Sequence, residues 1–104
     1  MTELSVTHPV VTRVAPAELG GPGAPLAEHC SAVAIAALRE AVGAGFRMTS
    51  LALDVASHPL EDADVELTAR IDKRARSIVF ASVEARSGMR MVFSAQGLFS
   101  AASS

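Results

Sequence analysis

The chain has 104 residues, which suffices for one domain and is too short for two ordinary ones. Half of the residues are hydrophobic and the mean hydropathy is +0.35, which excludes a disordered chain. The formal net charge of −2 and the lack of Trp and Tyr argue against a nucleic-acid-binding surface, and the single cysteine, Cys30, excludes an intramolecular disulfide and a cysteine-rich zinc site.

So much apolar content in a small domain predicts that part of it is buried against a partner, most simply in a homodimer, which could pair again as a dimer of dimers. The first residues lack the basic-then-apolar order of a signal peptide. The longest uncharged stretch, residues 91–104, is shorter than the ~20 apolar residues of a membrane span. We therefore expect a cytoplasmic protein without a membrane or nucleic-acid partner.

The first half of the chain predicts a strand followed by a helix. Residues 4–14 are typical of a strand, and the Gly/Pro-rich residues 16–25 predict a loop. Residues 26–42 are rich in helix formers and predict a helix. Pro25, just before them, can serve as the first helical residue, and glycines follow the end of the segment. This helix is apolar almost all round, so it should be buried on most faces. Its main apolar stripe is Leu26, Cys30, Val33, Ala37 and Ala41.

After the helix the hydrophobic period changes from 3.6 to 2. Four strands follow, separated by short turns. Short turns join antiparallel neighbours, so the chain predicts an α+β domain of order β-α-β-β-β-β with a meander-like sheet. The predicted strands are residues 48–56, 64–72, 77–86 and 89–100.

A specific spacing lies at the start of the helix. Gly20-Gly21 is followed, seven residues after Gly21, by Glu28 in the context Leu26-Ala27-Glu28. With the small-residue helix and the strand pattern after it, this resembles the hotdog-fold thioesterases, in particular the PaaI-like and 4-hydroxybenzoyl-CoA thioesterase branch. The resemblance implies one long central helix wrapped by an antiparallel sheet of about five strands, in a single domain spanning residues 1–104.

The resemblance also implies a catalytic site at a dimer interface. Glu28 would act as base or nucleophile, and Gly20 and Gly21 would offer backbone N–H groups to the oxyanion. Ser31 adjoins Ala32, a position that often carries Ser or Thr in family members with a Glu. The family's His before the two glycines is Leu19 in this chain. From the residues alone, Glu28 is first interpreted as a favourable first-turn acid, and it is the resemblance that makes the catalytic interpretation an equal alternative.

A basic segment follows the predicted third strand: Lys73, Arg74 and Arg76, with Ser77 beside them. In the resembling family the corresponding turn often helps to hold the phosphates of coenzyme A, which suits cations physically. The alternative is a solvated turn with ordinary surface charges. No cofactor is then required, since coenzyme A belongs to the substrate, and the spacing of the three histidines gives no sign of a metal site.

Three functions remain open. The first is an acyl-CoA thioesterase that hydrolyses a small aryl- or fatty-acyl thioester. The second is a domain that binds acyl-CoA or an acyl carrier without turnover, and the third is a structural hotdog subunit. An acyl pocket could use the set Met48, Phe80, Met89, Met91 and Phe93, although at strand spacing such residues are usually plain core.

Overall fold

The structure of the chain is a computed structural model, which describes residues 9–102. One α-helix packs against one face of a five-stranded antiparallel sheet. The elements in chain order are strand β1 (Val10–Val14), a 3₁₀ turn (Pro16–Leu19), helix α1 (Ala27–Val42) and strands β2 (Phe46–Val55), β3 (Val65–Arg74), β4 (Ile78–Ser87) and β5 (Arg90–Ala101). The predicted α+β class and the β-α-β-β-β-β order of the hotdog fold are confirmed.

The sheet has the strand order β1-β3-β4-β5-β2, and all neighbours are antiparallel. β3, β4 and β5 form the predicted meander in the middle. The prediction is wrong for β2, which pairs with β5 and not with its sequence neighbour β3. β1 and β2, which flank the helix in sequence, lie at opposite edges. β2 is the longer of the two edge strands, with ten residues against five in β1.

The helix begins one residue later than predicted. Leu26 has extended backbone dihedrals, φ −100° and ψ 133°, and its N–H donates to the carbonyl of Leu19 at 2.9 Å. Pro25 therefore is not the first helical residue, because Leu26 caps the helix with the first intrahelical acceptor, used by the N–H of Cys30. At the other end Gly43, with φ +88°, stops the helix as predicted.

The core lies between the helix and the sheet. The predicted alternation of β3 and β4 is confirmed: Val65, Leu67, Val79 and Val83 are buried on the face that the helix covers. We call this side of the sheet the helix face and the other side the outer face. Phe93 and Phe99 of β5 are the largest fully buried side chains.

The buried stripe of the helix agrees only in part with the predicted one: Cys30 and Ala37 are buried, and Val33 and Ala41 pack against the core partly buried. Leu26, the first residue of the predicted stripe, is 44% exposed. The side of the helix opposite its buried residues faces away from the sheet in the single chain. The reason is the direction of the helix over the sheet, which a stripe of uniformly small apolar residues does not fix. The buried helix residues are Cys30, Ala34, Ala37, Leu38 and Val42.

Strand ends also moved. The described first strand begins at Val10, and residues 4–8 of the predicted strand lie outside the described residues. The hairpin turn between β4 and β5 is Gly88-Met89, so Met89 is 94% exposed and not on the core face as expected. β3 continues through Arg74, since it pairs with β4 beyond the predicted end.

Candidate functional site

The glycine-rich loop is fixed against the start of the helix. After the 3₁₀ turn, the N–H of Gly20 donates to the carbonyl of Ala17 at 3.1 Å, and the N–H of Gly21 donates to the carbonyl of Pro16 at 3.0 Å. Farther on, the N–H of Leu60 in the β2–β3 connection donates to the carbonyl of Gly23 at 2.8 Å. Backbone hydrogen bonds therefore fix the loop to the 3₁₀ turn on one side and to the β2–β3 connection on the other.

Packing favours glycine at both positions of the motif, most strongly at Gly20. Gly20 has φ +94°, in the left-handed region, and a Cβ there would lie 2.7 Å from Cγ of Leu26. A Cβ on Gly21 would lie 3.1 Å from both Cδ1 of Leu60 and the carbonyl oxygen of Pro16. The close approach of the loop to Leu26 therefore depends on Gly20, whereas Gly21 fits closely between Leu60 and the 3₁₀ turn, whatever chemistry the two residues perform.

Glu28 stands in the first turn of α1, where the helix dipole favours a carboxylate. Its side chain is exposed in the single chain, and no side-chain hydrogen bond or ion pair holds it within residues 9–102. Ser31 lies beside it, half-buried, and its hydroxyl donates to the carbonyl of Glu28 at 3.0 Å. The single chain therefore leaves this carboxylate open to solvent.

Two sets of backbone donors lie near Glu28. The N–H groups of Gly20 and Gly21 already donate inside the 3₁₀ turn, so a substrate oxygen would have to displace Ala17 and Pro16 as acceptors. The first-turn N–H groups of α1 have no intrahelical partner, and Leu26 provides no side-chain cap. These N–H groups can donate to a substrate oxygen without giving up an existing acceptor. The sequence had predicted that the glycines would make this contact instead.

The two departures from the family pattern have clear structural settings. Leu19, at the family's His position, is fully buried and belongs to the hydrophobic core. Ala32, one turn after Glu28, is exposed and offers no hydroxyl. Where the resembling family carries polar groups, this chain has a core residue at one position and an apolar side chain at the other.

The basic cluster lies at the opposite end of the molecule. Lys73 and Arg74 end β3, Arg76 and Ser77 form the turn after it, and all four are exposed. The guanidinium of Arg74 lies 5.6 Å from the ring centre of Phe46, which begins β2 just after the helix ends. The sixteen residues of α1 span roughly 24 Å. One chain therefore does not bring Glu28 and the basic cluster together.

The other candidate residues form no common site. Burial raises the pKa of the Cys30 thiol, and its side chain is fully buried, which suits a core residue and not a nucleophile. His29 is exposed, and within residues 9–102 no three His, Cys, Asp or Glu residues gather as metal ligands would. Of the suggested acyl-pocket set, Phe93 is in the core, whereas Phe80 is on the outer face.

A groove beside the loop was missed in the sequence. It has a volume of about 370 Å³ and lies between the 3₁₀ turn and the β2–β3 connection, with Gly21 at one side. The connection reads as a polar turn, and only Leu60 within it signals an apolar surface. Two further depressions are smaller, at about 230 and 180 Å³. No helix in the described part of the chain is long and apolar enough to cross a membrane.

Comparison with known proteins supports the fold. No protein-family model matches the chain, and no curated protein sequence matches it. Solved structures do match, with identities that establish the fold alone. Thioesterase superfamily member 2 of zebrafish has TM-score 0.78 and 16% identity, covering 95% of this chain and 79% of its own.

Two PaaI structures match in the same way. A single-residue variant of the phenylacetic acid degradation protein PaaI of Thermus thermophilus has TM-score 0.76 and 20% identity, covering 88% of this chain and 84% of its own. The PaaI protein from the phenylacetic acid degradation operon of E. coli has TM-score 0.73 and 14% identity, covering 91% of this chain and 72% of its own. The hotdog fold shared with these proteins is the one that the resemblance found in the sequence implies.

Proposed function

We propose that this hotdog domain is a thioesterase that hydrolyses a small aryl- or fatty-acyl thioester of coenzyme A, at a site completed by a second copy of the chain. The observation that carries this proposal is the start of α1. A rigid glycine turn packs against it, Glu28 is exposed in its first turn, and this is the position at which the resemblance assigns the catalytic carboxylate.

The chemistry assigned to these residues is simple. Glu28 takes a proton from water as the water oxygen attacks the thioester carbonyl carbon, or its carboxylate attacks that carbon directly. First-turn N–H groups of α1, together with the Gly20–Gly21 turn, stabilise the negative charge that develops on the carbonyl oxygen. The carbon–sulfur bond then breaks, and in the first route the protonated Glu28 returns its proton to the sulfur, so that the acid and the thiol of coenzyme A leave. In the second route the thiolate leaves first, water then hydrolyses the mixed anhydride on Glu28 to release the acid, and the proton that this frees passes to the thiolate. Ser31, whose hydroxyl is bonded to the Glu28 carbonyl, steadies this turn of the helix.

The second copy is proposed along β2. This edge strand pairs with β5 on one side only within the chain, so its other side offers backbone donors and acceptors. Along it, Arg47 and Asp54 point to the outer face, while Met48 and Leu53 pack towards the core. The bulge between Met48 and Ser50 shifts the side-chain alternation by one residue.

That shift permits one favourable two-fold register. When two β2 strands pair antiparallel with Arg47 opposite Asp54 of the second copy, Met48 also faces Leu53 of that copy, and both pairs keep their own side of the sheet. The register places opposite charges together twice, once on each side of the two-fold axis. It follows from the sequence of β2 and its bulge without any rearrangement of the chain.

Antiparallel pairing would also solve the separation described above. β2 runs from the basic end of the molecule to the helix-start end, so a second β2 running the other way carries its own basic end towards Glu28 of the first copy. Lys73, Arg74 and Arg76, with Ser77, would then hold the phosphates of coenzyme A for the partner's site. Their exposure in the single chain leaves them free for this role.

Hydrolysis of a panel of aryl- and fatty-acyl-CoAs, followed by detection of the free thiol, tests the assignment. Glu28→Gln is expected to lower kcat by roughly a hundredfold or more, since a general base contributes about 10²–10⁴. Glu40→Gln, which changes another exposed glutamate near the far end of the helix, is the matched control and should retain the wild-type rate. Equal rates for wild type and Glu28→Gln would remove Glu28 from the mechanism.

The alternative function is binding without turnover, favoured by the core position of Leu19 and the missing hydroxyl at Ala32. Calorimetric titration with a non-hydrolysable acyl-CoA distinguishes the two. Binding that is unaccompanied by hydrolysis of the corresponding thioester supports the binding domain, and hydrolysis by the wild type rejects it.

A further inference from the structure

The groove beside the loop has the dimensions and lining of a small-molecule pocket. Its volume of about 370 Å³ falls in the range of ligand sites. Its walls are mainly apolar: Ala15, Pro16, Ala17, Pro22 and Leu60. It opens at Gly21, so it adjoins the turn that holds the start of α1. An apolar group placed here would lie beside Gly21, a residue of the proposed site.

The rim of this groove is acidic. Glu61 and Asp62 line it, both exposed, and neither is ion-paired within the described residues. The Oε1 of Glu61 accepts a long hydrogen bond of 3.5 Å from the hydroxyl of the buried Ser87. The groove thus combines apolar walls with two unneutralised carboxylates, a pairing that repels anions and tolerates neutral or cationic groups.

We propose that this groove takes the acyl group of the thioester and that Glu61 and Asp62 select against acyl groups ending in a carboxylate. The proposal rests on the proposed function for the identity of its ligand, and it adds to it a binding site and two specificity residues. The acyl groups accepted are aliphatic or aromatic chains that are uncharged or carry a protonated amine. Dicarboxylic half-thioesters are excluded.

Binding of two non-hydrolysable thioethers tests this without relying on turnover. S-hexyl-CoA carries an apolar chain, and S-(4-carboxybutyl)-CoA carries a chain of similar length that ends in a carboxylate. Calorimetry with the wild type should show tighter binding of S-hexyl-CoA. The variant Glu61→Gln/Asp62→Asn should strengthen binding of the carboxylate analogue by roughly five- to tenfold more than it changes binding of S-hexyl-CoA, because the two removed charges repel the terminal carboxylate directly. Glu40→Gln is the control and should change neither.

A second variant tests the groove itself. Ala17 is exposed on its wall, so Ala17→Trp can fill the space without disturbing the core. This substitution should lower the affinity for S-hexyl-CoA at least severalfold and leave the affinity for CoA itself unchanged. Unchanged affinity of S-hexyl-CoA in Ala17→Trp, no discrimination between the analogues, or no binding of either overturns the proposal. If Glu28→Gln hydrolyses acyl-CoA at the wild-type rate while the wild type still binds S-hexyl-CoA more tightly than the carboxylate analogue, the result counts against the proposed function alone.

Discussion

Replacing Gly20 by alanine tests whether the glycine turn is built by packing. Gly20 and Gly23 both have left-handed backbone conformations, with φ +94° and +102°. They differ in surroundings: a Cβ at Gly20 would lie 2.7 Å from Cγ of Leu26, whereas a Cβ at Gly23 meets nothing within 4 Å. Gly23→Ala therefore measures the backbone cost alone, and Gly20→Ala measures that cost plus the clash.

The magnitudes follow from these two contributions. A left-handed conformation costs a non-glycine residue about 1–2 kcal/mol, which both variants share. Overpacking against Leu26 adds about 1–3 kcal/mol to Gly20→Ala. Because Leu26 is half exposed and can partly move away, the lower part of that range is expected. A difference of 1 kcal/mol lowers Tm by about 4–8 °C in a domain of this size.

Urea unfolding followed by circular dichroism measures both variants against the wild type. In a Leu26→Ala background the extra cost of Gly20→Ala should shrink, since Cγ of Leu26 is gone, while the cost of Gly23→Ala should stay constant. If Gly20→Ala is no more destabilising than Gly23→Ala, the loop does not pack on the helix start as described. The geometry offered for the proposed site would then be wrong.

Three further outcomes are expected. Arg47→Asp should weaken self-association by roughly tenfold, and Arg47→Asp/Asp54→Arg should restore it, as measured by light scattering across a dilution series; failure of the restoration rejects the proposed β2 register. Burial raises the pKa of the Cys30 thiol, so this thiol should react with iodoacetamide far more slowly in the folded chain than in urea. The free energy of unfolding should also fall as pH rises past the ordinary thiol pKa of 9.0, because above it only the thiol of the unfolded chain ionises. Leu19→His, which reinstates the family residue, should lower the free energy of unfolding by about 2–4 kcal/mol in denaturant titration, because Leu19 is fully buried; little change would show that the site can accept a polar group.

Much of the fold could be predicted because its signals are local. The change from a 3.6 to a 2 residue period separates α1 from the strands, and Gly43 marks the end of the helix. The alternation in β3 and β4 correctly assigned Leu67, Val79 and Val83 to the core. The predictions were wrong where contacts with residues distant in sequence determine the local structure. Pro25 could start a helix by itself, but the hydrogen bond from Leu26 to Leu19 delays the start.

The sequence by itself determined the element order, the α+β class and the glycine-to-glutamate spacing, because each depends on residues close together in the chain. Only the tertiary structure decided that Leu19 is core, that Glu28 is exposed in a single chain, and that the basic cluster at Arg74 lies at the other end of the helix. The physical reason is that strand pairing joins residues distant in sequence. A periodic pattern says which side of a strand is apolar, whereas the partners along the sheet set which ends and edges meet.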